Sequence, residues 1–504
     1  MFVKRLSIFA LALLPLASGA WAADATPEGA KALEQQVRDW ITSTLGPQVK
    51  IAARPLQVTP EGDHYAINIP FGDAPDAPRI TADARSADGA RWTIDNVRPP
   101  EEFKLNVPVP ADKDTGTPAH TVPVTYKLTF GQMATQLLLD PTYGSASSYN
   151  STLQDMNLAA HGENLQQTAH VDRGAGTGVL RPGANGRLDL LTEGSFENYT
   201  ISTKTKDAEN LDIAFGKVRV SSEVDGFSRD RGVQVLQALI QMGSLMQGDA
   251  APAGAAKLDP KQFQALVEAI ADLASGMSLN ESVDRLSFSY GGLAGSLNAL
   301  RFGFAAKTDG GLLNARLDLG AEGLTLPELG LGDMVQLIPS SIALRPTVSG
   351  VPTAELVRLA EASQNGGSPS PEEIQALFSH GGITAGLDSF SIDVAGTGFS
   401  GMGKMVFSSP EAFSGTAQIT ATNLDLLQQR VAANPQLAQA LPVFIVAKGI
   451  GRTVNNQMVW DISYQNGRLL VNNQDLSALT GGARTQDAPK APGRPTQPRP
   501  QQRR

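Results

Sequence analysis

The chain contains no cysteine among its 504 residues. That excludes a disulfide framework, a thiol nucleophile, a cysteine-ligated zinc site and a thioether-attached haem. Aromatic residues amount to only 6% and charged residues to 18%. Five histidines, at 64, 120, 161, 170 and 380, are scattered in the sequence. His161 and His170 stand nine apart, near Glu163 and Asp172, in neither the H-E-x-x-H pattern nor any other regular ligand spacing. No apolar run is long enough to cross a bilayer, which takes about 20 residues. The spacing calls for no metal, no cofactor and no catalytic residue, so the sequence is read as that of a non-enzyme.

What is present starts with an export signal. Lys4 and Arg5 precede the apolar stretch Leu6–Leu14, which ends at Pro15, and Ala20 and Ala22 are small residues placed for a signal peptidase. Residues 1–22 are therefore expected to be a signal peptide cleaved after Ala22, leaving a periplasmic protein. At the other end, residues 484–504 hold six basic side chains, Asp487 as their one acidic residue, and prolines at 489, 492, 495, 498 and 500. Such a segment has little to bury and is expected to be a disordered basic tail. The whole chain has a formal charge of −9. The body between signal and tail carries 33 basic against 49 acidic residues. That balance excludes nucleic acid as a partner.

Within the body, apolar periodicity alternates between two and 3.6 residues. Thr26 and Pro27 open a helix whose apolar stripe is Leu33, Val37, Trp40, Ile41 and Leu45, stopped by Gly46-Pro47. Period-two segments include His64–Phe71, Leu313–Leu319, Phe390–Val394 and Met458–Tyr464. The last runs through Gln465-Asn466-Gly467 into Leu469–Val471, the strongest hairpin signal in the chain. Further helices are expected after Asp259-Pro260 and after the capping box Ser370–Glu373. A third, near 232–247, is apolar on most sides and reads as packed on the sheet from two directions. Residues 248–256 read as a linker. A strand–turn–helix order recurs at Arg345–Leu356 and Gln418–Leu427, with a third copy running from Arg316 to Leu337.

The run Gly396-Thr-Gly398-Phe-Ser-Gly401-Met-Gly403-Lys404 satisfies two phosphate-loop patterns. It lacks the following Ser or Thr, where Met405 stands, and the next residues read as a strand and not as a helix. The run is read as a hairpin connection. Ser400 lacks the second glycine of a nucleophile elbow, since Met402 occupies that place. Acidic residues such as Asp207, Glu209, Asp212, Glu223 and Asp225 read as solvated strand faces.

The C-terminal strings Leu424–Leu427, Gly449, Trp460 and Gly467–Leu476, with Leu337-Ile-Pro339 leading into Leu344–Gly350, resemble an alphaproteobacterial exported domain of unknown function, the one numbered twenty-one twenty-five. More distantly the chain is similar to AsmA-like envelope proteins. The resemblance implies curved β-sheets and a link to lipid traffic in the cell envelope, and brings no catalytic residues.

The expected fold is α+β: a long, curved, mostly antiparallel sheet with amphipathic helices packed on one face. Five segments are expected: the signal (1–22), a helix and β-rich region (23–230), a helical segment with linker (231–280), a second β-rich region with inserted helices (281–483) and the tail (484–504). The expected function is binding of a lipid or other apolar ligand in a groove of the curved sheet, in the service of the envelope. The alternative is an envelope interaction module with a fully self-packed core, whose partner is another envelope protein.

Overall fold

The computed structural model describes residues 25–45, 56–70, 77–87, 91–109, 120–140, 142–143, 145–205, 208–245, 260–326, 335, 337–364, 369–434 and 437–477. The expected signal (1–22), the expected linker (248–256), the expected Gly46-Pro47 stop and the expected tail (484–504) lie outside them. Among the described residues there are 22 strands in one sheet and seven helices. The molecule is therefore mostly β and not an even α+β mixture.

Every pairing is antiparallel. Strands β1 (Gln57–Glu61), β2 (His64–Pro70), β3 (Arg79–Ser86) and β4 (Trp92–Arg98) pair in order. Next come β5 (Glu102–Val109), β6 (His120–Thr129), β7 (Gln132–Asp140) and β8 (Ser145–His161). β4 joins β7, and β7 covers the first part of β8. The β5–β6 hairpin covers the end of β8. From there the sheet is a plain meander through β9 (Leu165–Pro182), β10 (Leu188–Thr205), β11 (Ala208–Phe227), β12 (Gly276–Tyr290), β13 (Leu293–Asp309) and β14 (Leu312–Glu322). It continues through β15 (Ser341–Pro352), β16 (Ile383–Val394), β17 (Thr397–Phe407) and β18 (Phe413–Thr422). β18 pairs with β20 (Gln457–Gln465), which also carries β19 (Arg452–Val454) and β21 (Arg468–Val471), and β22 (Gln474–Asp475) closes the sheet. The ladder runs unbroken past residues 230 and 281, because β11 pairs with β12.

The helices are not all laid along one face. Helices α2 (Arg229–Leu245) and α3 (Pro260–Ala271) connect β11 to β12, and α4 (Thr353–Gln364) and α5 (Pro371–Ala376) connect β15 to β16. In an antiparallel meander those two connections fall at the same end of the strands. There the helices touch one another in sequence, with α1 (Pro27–Leu45) reaching α2. The described part of α2 packs mainly on α1 and α3, which replaces the expected two-sided packing on the sheet. Helices α6 (Leu424–Ala433) and α7 (Leu441–Ile450) follow β18 at the opposite end of the strands.

Local chemistry explains the boundaries. The Thr26 hydroxyl accepts from Gly29 N at 3.0 Å and so caps α1. Ser370 and Glu373 form the reciprocal capping box, the Ser370 hydroxyl accepting at 3.2 Å and the Glu373 carboxylate at 2.7 Å. Asn466 and Gly467 take φ of 51° and 75° and turn β20 into β21. The glycine run at 396–403 is mostly strand, against expectation. Only Gly396, at φ 77°, belongs to the turn, and Gly398, Gly401 and Gly403 lie inside β17. A side chain at 401 would stand 2.3 Å from the Gln418 backbone carbonyl and 2.6 Å from the Phe390 ring, so glycine there leaves room for the neighbours on both sides. Of the strand–turn–helix copies, β15–α4 and β18–α6 are present; the third lies partly outside the described residues.

Apolar clusters hold the two ends of the sheet. Leu33, Val37, Leu56, Tyr65 and Ile67 bury α1 against β1–β3. Leu424, Ala421, Trp460 and Val471 do the same under α6 and α7, with Phe444 and Ile450 packed on them.

Candidate functional site

The strands from β8 to β13 are 15 to 20 residues long, far beyond the usual 5–6. Each contains one break in its alternation. On β9 the residues turned to the apolar side are Ala169 and Val171, then Gly174, Gly176 and Gly178. Asp172 and Arg173 between them both point the other way. The same double step falls at Gln154/Asp155, Glu197/Asn198, Gly216/Lys217, Asp284/Arg285 and Asn298/Ala299.

These positions form one transverse seam. Glu197↔Arg173 and Tyr199↔Val171 pair on either side of Asn198, so no residue is inserted. Glu197↔Lys217 and Tyr199↔Phe215 flank Gly216, and Lys217↔Asp284 and Phe215↔Leu286 continue the line to Arg285. The parity change comes from left-handed backbone on alternate strands: Asp155, Asn198 and Arg285 have φ of 49°, 51° and 58°. Asn and Asp tolerate that region better than most residues. Polar bonds tie the seam together on the side of the sheet opposite the apolar residues. Asn198 Nδ2 donates to Asp172 at 2.5 Å, His170 lies 2.7 Å from the same carboxylate, and Lys217 Nζ donates to Glu197 at 2.8 Å. The Asn198 and His170 hydrogen bonds hold the Asp172 carboxyl below the usual carboxylate range.

On the other side of the sheet, pairing lines up apolar side chains strand after strand. One row is Leu158, Ala169, Ile201, Ile213 and Phe288. Another is Glu281, Phe302, Leu319, Leu344 and Phe390. A third is Val283, Leu300, Ala321, Ile342 and Ile392. Glycines thin this surface beside large rings. A side chain at Gly178 would stand 2.0 Å from Tyr149, and one at Gly174 would press on Leu153 and Phe196. Phe196, Leu300, Phe302 and Leu319 remain 37–38% exposed, so no described helix roofs them. Burial raises the Tyr149 and Tyr199 phenols above their ordinary value, as expected for rings set in an apolar surface.

Among the described residues, three depressions bear on the site. The two larger, of about 820 and 800 Å³, lie on the polar face on either side of the seam. Small and charged residues such as Thr168, Thr200, Ser287, Arg219, Arg301 and Arg345 line them. The charges there are neutralised by neighbours: Arg219 to Asp284 at 2.9 Å, Arg301 to Glu322 at 3.0 Å, and Arg345 to Asp318. The third, about 490 Å³, is entirely apolar and lies where α7 meets Phe390, Ile392, Phe399, Ile419, Trp460 and Ile462.

The residues weighed for chemistry stay apart. His64 sits by Asp63 at 3.1 Å on the first hairpin, His170 belongs to the seam, and His380 bonds the Ser379 hydroxyl in an exposed turn. Among the described residues no group of three His, Asp or Glu side chains could hold a metal. None of their helices is long and apolar enough to cross a membrane. The sequence reading missed the seam and the exposed apolar rows beside it. Its signal was there: each long alternating run is interrupted once by two successive outward residues, mostly Asp, Asn, Glu, Gln, Lys or Arg. No family model matches the chain, and no curated protein matches it.

Proposed function

We propose that this is an exported, periplasmic, non-enzymatic protein that binds a lipid or similar apolar molecule along the apolar face of its sheet. The observation carrying the reading is the uncovered aromatic and aliphatic surface at Phe196, Leu300, Phe302 and Leu319. A continuous exposed apolar face of this kind is costly in water and marks a binding surface. In this reading the seam keeps its paired polar residues on one side of the sheet and leaves the other side to the apolar rows. Acyl chains suit it because the rows offer width and apolarity but little hydrogen bonding. Glu281, set among these rows opposite Val220 and Phe302, offers one polar contact for a headgroup. The likeness to AsmA-like envelope proteins points to the same ligand class.

Native mass spectrometry of protein purified from its own compartment, followed by organic extraction, tests this. A stoichiometric lipid is the expected result. Bare protein that also takes up no fluorescent fatty acid would favour the second reading, an envelope interaction module. The self-packed clusters at the two ends of the sheet are the feature that supports it.

A further inference from the structure

Helix α7 reads Leu441-Pro-Val-Phe-Ile-Val-Ala-Lys-Gly-Ile450. Phe444, Ala447 and Ile450 face the sheet, where Trp460 Nε1 donates to the Ala447 carbonyl at 2.8 Å. The solvent side consists of Pro442, Val443, Ile445, Val446 and Gly449, spaced as one helical face. Val443 is 71% exposed, Ile445 59% and Val446 56%, and a side chain at Gly449 would meet only open space. Not one polar side chain stands on that face. An ordinary surface helix shows the reverse, charge outward and apolar stripe inward. The helix's single charge, Lys448, is turned sideways to Asp425 of α6.

A second observation bears on what this face meets. The last described strand ends at Asp475, and Leu476 packs in the same cluster as Phe444 and Ile450. Ser477 follows as the last described residue. The sequence beyond it, residues 478–504, carries Arg484, Lys490, Arg494, Arg499, Arg503 and Arg504 against Asp487 alone. Arg484 follows Ser477 by seven residues, within about 25 Å of it at full extension. An aliphatic face and a cationic segment that follows it in the chain, on an otherwise acidic body, match one surface, an anionic bilayer. Stable peripheral attachment takes two such signals, one inserted and one electrostatic.

We infer that α7 dips Val443, Ile445 and Val446 into the interface of an anionic lipid bilayer while the C-terminal basic segment holds the headgroups. The acidic body then stands away from the surface, and the apolar depression beneath α7 comes to lie next to the membrane. Docking of this kind does not require the apolar rows of the sheet to carry lipid.

The test is co-sedimentation of the purified full chain with vesicles of phosphatidylcholine alone or mixed with phosphatidylglycerol. Binding is expected to the mixed vesicles, weakening at high salt. Ile445→Asp with Val446→Asp is expected to lower partitioning about ten-fold, with an unchanged thermal melt because both side chains point outward. A chain ending at Ser477 is expected to lose the preference for phosphatidylglycerol and the salt dependence. The inference is overturned if the intact chain stays in the supernatant or if the double variant binds equally well. It is also overturned if size-exclusion chromatography shows a dimer that the double variant dissociates, since the face would then meet a second copy. Uptake of a fluorescent fatty acid in vesicle-free buffer reports separately on the sheet and is not expected to change in either variant.

Discussion

Trp460 Nε1 donates to the backbone carbonyl of Ala447 at 2.8 Å, pinning α7 to the end of the sheet. Trp460→Phe keeps most of the buried ring and deletes only this bond. It is expected to cost about 1 kcal/mol in chemical denaturation. Trp460→Ala is expected to cost about 3–5 kcal/mol. Equal losses from both would mean that the bond, not the ring, holds the corner.

Asn472 is the hub of the same corner. At φ 47°, its amide donates to the carbonyls of Ile450 at 2.7 Å and Val459 at 3.0 Å and accepts from Asp461 N at 2.9 Å. Asn472→Ala leaves three backbone groups without this partner and adds strain. A loss of about 2 kcal/mol or more is expected. A melt within error of the parent would show that water replaces all three bonds.

The seam can be tested through its backbone. At Asn198, glycine suits the positive φ and valine does not. Both substitutions lose the bond to Asp172, so their difference isolates the conformation. Asn198→Val is expected to be about 1–2 kcal/mol less stable than Asn198→Gly. The reverse order would mean that the seam is not enforced by left-handed backbone. Gly178→Val is a companion test, expected to cost about 1–3 kcal/mol because Tyr149 occupies the space.

The pH dependence has two arms of opposite sign. The hydrogen bond from Gln418, with the nearby Arg452, lowers the Asp461 pKa, and the bond from Arg187 does the same for Asp272. Folded values below the unfolded one, about 3.9, contribute stability above that pH and lose it as pH falls through the folded values. Tyr149 and Tyr199 are raised by burial. Their contribution is complete below the unfolded value of about 10 and is lost as pH rises through the folded values. Denaturation midpoints against pH are expected to drop at both extremes, with Tyr199→Phe softening only the alkaline arm. An alkaline arm indifferent to Tyr199→Phe would place that loss elsewhere.

How far the sequence spoke can be read residue by residue. Alternation located Leu313–Leu319, Phe390–Val394 and Met458–Tyr464 within β14, β16 and β20, because one buried face forces period two. Capping chemistry located α1, α3 and α5, since Thr26, Pro260 and Ser370 act within a few residues. The double polar step within each strand is visible in the sequence, but the line joining Asp155, Asn198 and Arg285 is not. Each strained position is set by its neighbours across the sheet, and pairing partners are far apart in sequence. The glycines of β17 misled for the same reason: a side chain there would press on neighbours across the ladder, Thr422 at Gly398, Gln418 and Phe390 at Gly401 and Ala417 at Gly403, which no local pattern displays. Val443, Ile445 and Val446 carry no local sign of exposure, and only the fold turns them to solvent.

The central claim is that the apolar face of the sheet binds an apolar ligand. The most direct measurement is titration of a fluorescent fatty acid into the intact chain and into Leu300→Asp with Phe302→Asp. Both side chains are already more than a third exposed, so the fold should survive and the melt serves as control. Saturable uptake by the parent and at least a ten-fold loss in the variant is the expected result, about 1.4 kcal/mol in binding. Uptake that is absent from the parent, or undiminished in a folded variant, would contradict the account.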